Sequence, residues 1–104
     1  MIDLSVLANI HADIEVVHQL VETLKARVDG KDIGIHIYRN RNGHFFYELS
    51  HMYRGADSMD PAISIGNSYD SVEEAAKGAL QSAVMFYRST DEGGAWVRNE
   101  SFFH

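Results

Sequence analysis

Six histidines and fifteen carboxylates in a 104-residue chain without cysteine confine metal or acid–base chemistry to imidazole and oxygen groups. His11, Glu15, His18 and Glu22 follow one another by four, three and four residues, a spacing that puts all four on one strip of a helix. Such groups suit a hard or borderline cation. One straight helix cannot surround an ion, however, because positions seven apart lie about 10 Å apart along the axis and metal–ligand bonds are about 2 Å long. The strip therefore reads as a solvated row of imidazole and carboxylate groups, and no metal or other cofactor is expected.

His36, Tyr38, Phe46 and Glu48 form the more unusual set. From Asp32 onward Ile33, Ile35 and Ile37 alternate with Gly34, His36 and Tyr38, which is the period of a strand, and His44–Leu49 supplies a second one after Asn42-Gly43. A two-residue loop at Asn42-Gly43 would pair Ile37 with Glu48. A three-residue loop of Arg41, Asn42 and Gly43, with Gly43 at positive φ, instead pairs Ile37 with Tyr47 and Ile35 with Leu49. That register gathers His36 opposite Glu48 and Tyr38 opposite Phe46 on the other face, an ionisable pair beside an aromatic pair. Aromatic groups with a polar edge are enriched at protein contacts, so this face is a candidate recognition surface.

Signals for catalysis are sparse. The chain holds no Gly-x-Ser-x-Gly elbow, phosphate-cradling Gly-rich loop with Lys, His-Glu-x-x-His or dinucleotide fingerprint. A site assembled by folding, for example from His51 with Asp57 or Asp60, is the route left to an enzyme or a metal-dependent domain, which stands as the alternative to a binding module.

The elements that must position these residues are read as follows. Leu7, Ile10, Ile14, Val17, Val21, Leu24 and Val28 recur at alternating three and four residues, which predicts a long amphipathic helix over residues 4–28, capped by Asp3 or Ser5 and closed by Gly30. The hairpin follows. Tyr53–Pro61 reads as a loop and Ala62–Gly66 as a short third strand. Ser71 with Glu74 makes a capping box for a second helix, whose core face is mostly alanine. A tail carrying Trp96, Phe102 and Phe103 should fold back and can add a short edge strand. The expected fold class is α+β, ordered helix-strand-strand-strand-helix: a three-stranded antiparallel sheet with helices packed on one face, in a single domain spanning residues 1–104.

This order resembles that of double-stranded-RNA-binding domains, which grip phosphates with a basic cluster at the start of the last helix. Here that position reads Ser71-Val72-Glu73-Glu74, with Lys77 the nearest cation, so nucleic acid is not an expected partner. The hairpin around Asn42-Gly43-His44-Phe45 and the run Ser71-Val72-Glu73-Glu74-Ala75-Ala76 are also similar to the HicB family of antitoxins, over residues 32–88. The likeness implies a shared topology, and no site is carried over from it.

Charge completes the reading. The formal net charge is −6, and residues 53–104 hold eight acidic and four basic residues against seven and five in residues 1–52. The exposed carboxylates expected at Asp57, Asp60, Glu73 and Glu74, with the His36, Tyr38, Phe46 and Glu48 face, point to a small acidic protein-binding module, an inhibitor or regulator of a basic nucleic-acid-handling protein. Without cysteine, a signal-like leader or a long apolar run, the expected site of action is cytoplasmic and away from membranes. A helix of residues 7–28 would overhang a short sheet, so Leu7, Ile10 and Ile14 are the expected contact of a homodimer.

Overall fold

A computed structural model describes residues 2–54, 67–85, 87 and 94–103. Its elements are a short helix α1 (Leu4–Ala8), strands β1 (Gln19–Val28), β2 (Lys31–Arg39), β3 (Phe45–Leu49) and β4 (His51–Arg54), helix α2 (Val72–Val84), strand β5 (Ala95–Arg98) and a 3₁₀ turn over Glu100–Phe103. β1, β2 and β3 form an antiparallel sheet in that order, and β4 pairs with β5 in a second, two-stranded sheet. The class is mixed α+β, mostly strands.

The long first helix is not formed. Its N-cap is as expected, since Asp3 accepts a hydrogen bond from the Ser5 amide at 3.0 Å, but the helix ends at Ala8 and residues 19–28 are a strand. The cause lies at Asp29 and Gly30, which both have positive φ, 50° and 82°, and join Val28 to its partner Lys31 as a two-residue turn. Asp-Gly between apolar stretches is a strong hairpin signal, and it outweighs a helical spacing built largely from β-branched residues. The register slips between Leu20 and Glu22, and this bulge lets Val21 join Leu24, Ala26 and Val28 against the core.

The second hairpin has the expected register: Ile35 faces Leu49, Ile37 faces Tyr47, His36 faces Glu48 and Tyr38 faces Phe46. Gly43 takes φ 80°, and Asn40 Oδ1 accepts from the amides of Asn42 and His44, both at 3.0 Å, fastening the loop. The third strand of the sheet is therefore β1, whereas the strand expected at 62–66 lies outside the described residues. β4 begins before the loop expected from Tyr53 and takes in its first two residues. Ser50 redirects the chain into it: the Ser50 hydroxyl accepts the Gly34 amide at 2.7 Å, and the Ser50 carbonyl accepts the Asn99 amide at 2.8 Å, so one residue ties both sheets. The tail does add a strand, but to β4.

Ser71 caps α2 by accepting the Glu74 amide at 3.1 Å. Ala75, Ala79 and Ala83 lie one turn apart and are buried in the same cluster as Ile33, Ile35, Ile37, Tyr47 and Leu49. Small side chains bring the helix axis close to the sheet, and each buried Ile contributes about 1.5 to 3 kcal/mol by leaving water. Gly78 extends the same requirement, because a Cβ there would overlap the Tyr69 hydroxyl and ring. Arg39 is the one charged side chain in the buried set among the described residues. Its guanidinium is satisfied by neutral oxygens, donating to the Ile2 carbonyl and to Gln19 Oε1 at 2.9 Å.

Candidate functional site: the outer face of the sheet

With Ile33, Ile35 and Ile37 turned to α2, strand alternation sends Gly34, His36 and Tyr38 of β2 to the opposite face. Phe46 and Glu48 of β3 join them there, so the structure brings together all four residues expected on the recognition face. Tyr38 and Phe46 stack with centroids 5.2 Å apart and planes 18° apart. The Tyr38 hydroxyl lies 3.3 Å from His36 Nδ1. Burial raises the Tyr38 pKa above its ordinary value, and the neighbouring Glu48 carboxylate adds to the shift by opposing a phenolate.

Part of this face is covered by the tail. Phe102 stacks on His36 at 3.9 Å and 17°, and Ser101 Oγ donates to Glu48 Oε2 at 3.2 Å. Gly34 makes the room: a Cβ at this position would stand 2.8 Å from Phe102 Cζ. Beyond it, the Arg98 guanidinium lies 3.9 Å over the Phe103 ring while Arg98 Nε reaches Glu100 at 3.2 Å. Among the described residues the tail does not reach the row of exposed Leu20 and half-buried Tyr38 and Phe46, which His18 closes, its ring meeting Phe46 edge-on at 4.8 Å.

The strip of His11, Glu15, His18 and Glu22 is corrected along with the helix. Residues 9–18 are not helical, Glu22 belongs to β1, and His11 turns to its neighbour Asp13, with Nδ1 accepting that amide at 3.0 Å. Of the four only His18 joins an arrangement of interest, the aromatic one. Among the described residues no three His, Cys, Asp or Glu side chains form a group that could hold a metal ion. Glu73 and Glu74 occupy the exposed first turn of α2, on the other side of the sheet from the aromatic face, and Glu73 pairs with Lys77 at 3.7 Å. Asp57 and Asp60 lie outside the described residues. Leu7, Ile10 and Ile14 are exposed to 36%, 70% and 36%, but the overhanging helix that made them a dimer contact does not exist.

Sequence reasoning gives Ser50 no role and places His51 only in a site with Asp57 or Asp60, whereas covering of this face by the tail that bears Phe102 is the bland alternative to a recognition surface. Gly34, a glycine inside an alternating strand, was the available signal for a close approach. His51 Nδ1 lies 2.8 Å from Ser50 Oγ. The Gly34 amide donates to the same oxygen, so Ser50 Oγ holds β2 and the His51 ring together. Ser50 is 3% exposed, so the pair is structural bracing and not a presented nucleophile. Burial lowers the His51 pKa, and the positive charges of Lys31 and Arg98 lower it further. A histidine depressed in the folded state is protonated first in the unfolded chain, so its contribution to stability is full above about pH 6.5 and is lost as pH falls toward the folded value. Urea midpoints measured from pH 7.5 down to 5 should fall in the native chain and fall less in His51→Phe; equal slopes would refute this assignment.

Fold and face together define a small α+β chain, mostly strands, with an aromatic outer sheet face. Compared with known proteins, the chain matches no family model, no curated protein and no solved structure. Among the described residues no helix is long and apolar enough to cross a membrane.

Proposed function

We propose that the chain is a small cytoplasmic protein-binding module whose contact surface is the outer face of the β1–β2–β3 sheet, centred on Tyr38 and Phe46. The observation that carries this reading is the stacked Tyr38–Phe46 pair with His18 against it, an aromatic row left uncovered by the tail that covers His36. Interfaces concentrate their energy in such central aromatic anchors. Glu73 and Glu74, with the overall charge of −6, give the module a second role for charge: they steer a basic protein partner toward it. A nucleic-acid-handling protein, which carries a basic groove, has the chemistry such a regulator would meet. Nucleic acid itself is outside this reading, because two carboxylates stand at the helix start where phosphate would need cations. The competing reading of a small enzyme or metal-dependent domain draws on His51 with Asp57 or Asp60, and those two carboxylates lie outside the described residues.

The two roles separate experimentally. For a partner captured from native lysate, Glu73→Gln with Glu74→Gln should slow association by about two- to fivefold and flatten its salt dependence, leaving dissociation nearly unchanged. Phe46→Ser should act on dissociation instead. Association indifferent to both salt and the glutamate pair would overturn the steering role.

A further inference from the structure

The Gly34–His36 end of the outer face is a notch with an occupant. Its floor is the bare backbone of Gly34, where a Cβ would stand 2.8 Å from Phe102 Cζ, and its wall is the His36 ring, on which Phe102 stacks at 3.9 Å. Glycine inside a strand weakens it and marks a place where a neighbour approaches closely. The notch is held without the tail. The Gly34 amide donates to Ser50 Oγ at 2.7 Å, the Ser50 amide donates to the Gly34 carbonyl at 2.9 Å, and the Tyr38 hydroxyl lies 3.3 Å from His36 Nδ1.

The occupant is held less firmly. Up to Asn99 the tail is bound through its backbone and an amide side chain: β5 pairs with β4, the Asn99 amide donates to the Ser50 carbonyl at 2.8 Å, and Asn99 Nδ2 donates to the Leu49 carbonyl at 2.9 Å. After Asn99, among the described residues, no backbone hydrogen bond joins Glu100–Phe103 to either sheet. Side chains hold this turn: Phe102 on His36, Phe103 under Arg98 and edge-on to His51, and Ser101 Oγ, whose single proton is divided between Glu48 Oε2 at 3.2 Å and Asn99 Oδ1 at 2.9 Å. Segments with few ordered contacts open at the lowest cost.

We propose that Glu100–Phe103 is a releasable strap, hinged at Asn99, whose Phe102 fills the Gly34–His36 notch until an aromatic side chain of a protein partner replaces it. The occupant sets the class of ligand, a flat ring stacked on imidazole. This rests on the reading of the outer face as the contact surface, and release joins the notch to the Tyr38–Phe46 row beside it.

The test uses the full-length chain, NMR and the peptide acetyl-Glu-Ser-Phe-amide. In the native chain the Phe102 amide should exchange with deuterium at least about tenfold faster than the Asn99 amide. Phe102→Ala vacates the notch and should remove the ring-current shifts of Gly34 and His36, with a well-dispersed spectrum showing that the variant is folded. The peptide should restore those shifts saturably in the millimolar range, and should bind the native chain about tenfold more weakly, because the tethered ring competes at a high effective concentration. Gly34→Ala should expel Phe102 and take no peptide, and acetyl-Glu-Ser-Ala-amide should leave Phe102→Ala unchanged. For a captured partner, Phe102→Ala should raise affinity by about three- to tenfold. Equal protection of the two amides, equal peptide affinity for the native chain and Phe102→Ala, no binding to Phe102→Ala, or an unchanged partner affinity would overturn the strap. A failed peptide experiment with a large loss in Phe46→Ser leaves the outer-face reading standing, whereas a successful one with no effect of Phe46→Ser strikes that reading and the partner's part in release.

Discussion

Ile35→Ala should cost about 3 to 4 kcal/mol, a large part of the roughly 5 to 15 kcal/mol that holds a domain of this size together. Ile35 is 1% exposed on the central strand and lies between Leu24 and Leu49 in register, beneath the alanine face of α2. The substitution removes three carbons from a place walled on every side, so the lost transfer energy is joined by the cost of a cavity that a two-sided sheet cannot close. Ile14→Ala is the matched control. That residue is 36% exposed in a non-helical segment, and its loss should stay within about 0.5 kcal/mol. Urea denaturation of the two variants checks both numbers, and comparable losses would mean that residues 9–18 are packed as the helical spacing suggested.

Gly78→Ala should lower stability by about 2 kcal/mol, although alanine improves intrinsic helix propensity by about 1 kcal/mol. The added methyl would enter the volume of the Tyr69 side chain, which packs across α2 while residue 69 bridges to Phe45 through two backbone hydrogen bonds of 2.8 Å. Neither the bridge nor the helix can yield without loosening the sheet edge. Tyr69→Ala in the same chain should recover part of the loss, so the two changes together should cost less than their sum. Additive urea midpoints would show that the contact is not what constrains position 78.

The contrast between the two ends of the chain explains which parts of the fold were legible. In β2 and β3 the alternation of Ile33, Ile35 and Ile37 with polar partners fixed a face, and avoiding a buried Glu48 fixed the loop length; both are local consequences of a period of two. Ser71 with Glu74 was equally self-sufficient, because a capping box completes itself within four residues. In β1 two periods coexist. Leu24, Ala26 and Val28 alternate, while Val17, Val21, Leu24 and Val28 also fit a helix, and the choice between them is made by Asp29-Gly30, whose turn brings β1 onto the edge of β2. A helix end at Gly30 would use the same positive φ as this turn, so the local sequence encodes the conformation but not its setting.

The candidate site was legible to the same depth. His36, Tyr38, Phe46 and Glu48 were assembled from register alone. His18 was assigned to a helical strip, and only the pairing of β1 with β2 carries it to Phe46. Phe102 reaches Gly34 and His36 across some 66 residues of sequence, a contact that depends on where β5 pairs and that no local pattern encodes. The second sheet follows from Ser50, whose buried hydroxyl stands in for a backbone acceptor, a substitution that becomes visible once the ladder is laid out.

The most direct test of the account is the affinity of a captured protein partner for Phe46→Ser, compared with Ile10→Ala. Phe46 stands in the aromatic row in contact with both Tyr38 and His18, whereas Ile10 is a more exposed apolar residue, at 70%, in the segment away from it. Calorimetry on folded variants should show the dissociation constant rising by about tenfold or more in Phe46→Ser, as for the loss of a central aromatic anchor, and by less than about twofold in Ile10→Ala. An unchanged affinity in Phe46→Ser with a large loss in Ile10→Ala would place the contact on the N-terminal segment and contradict the assignment of the outer sheet face.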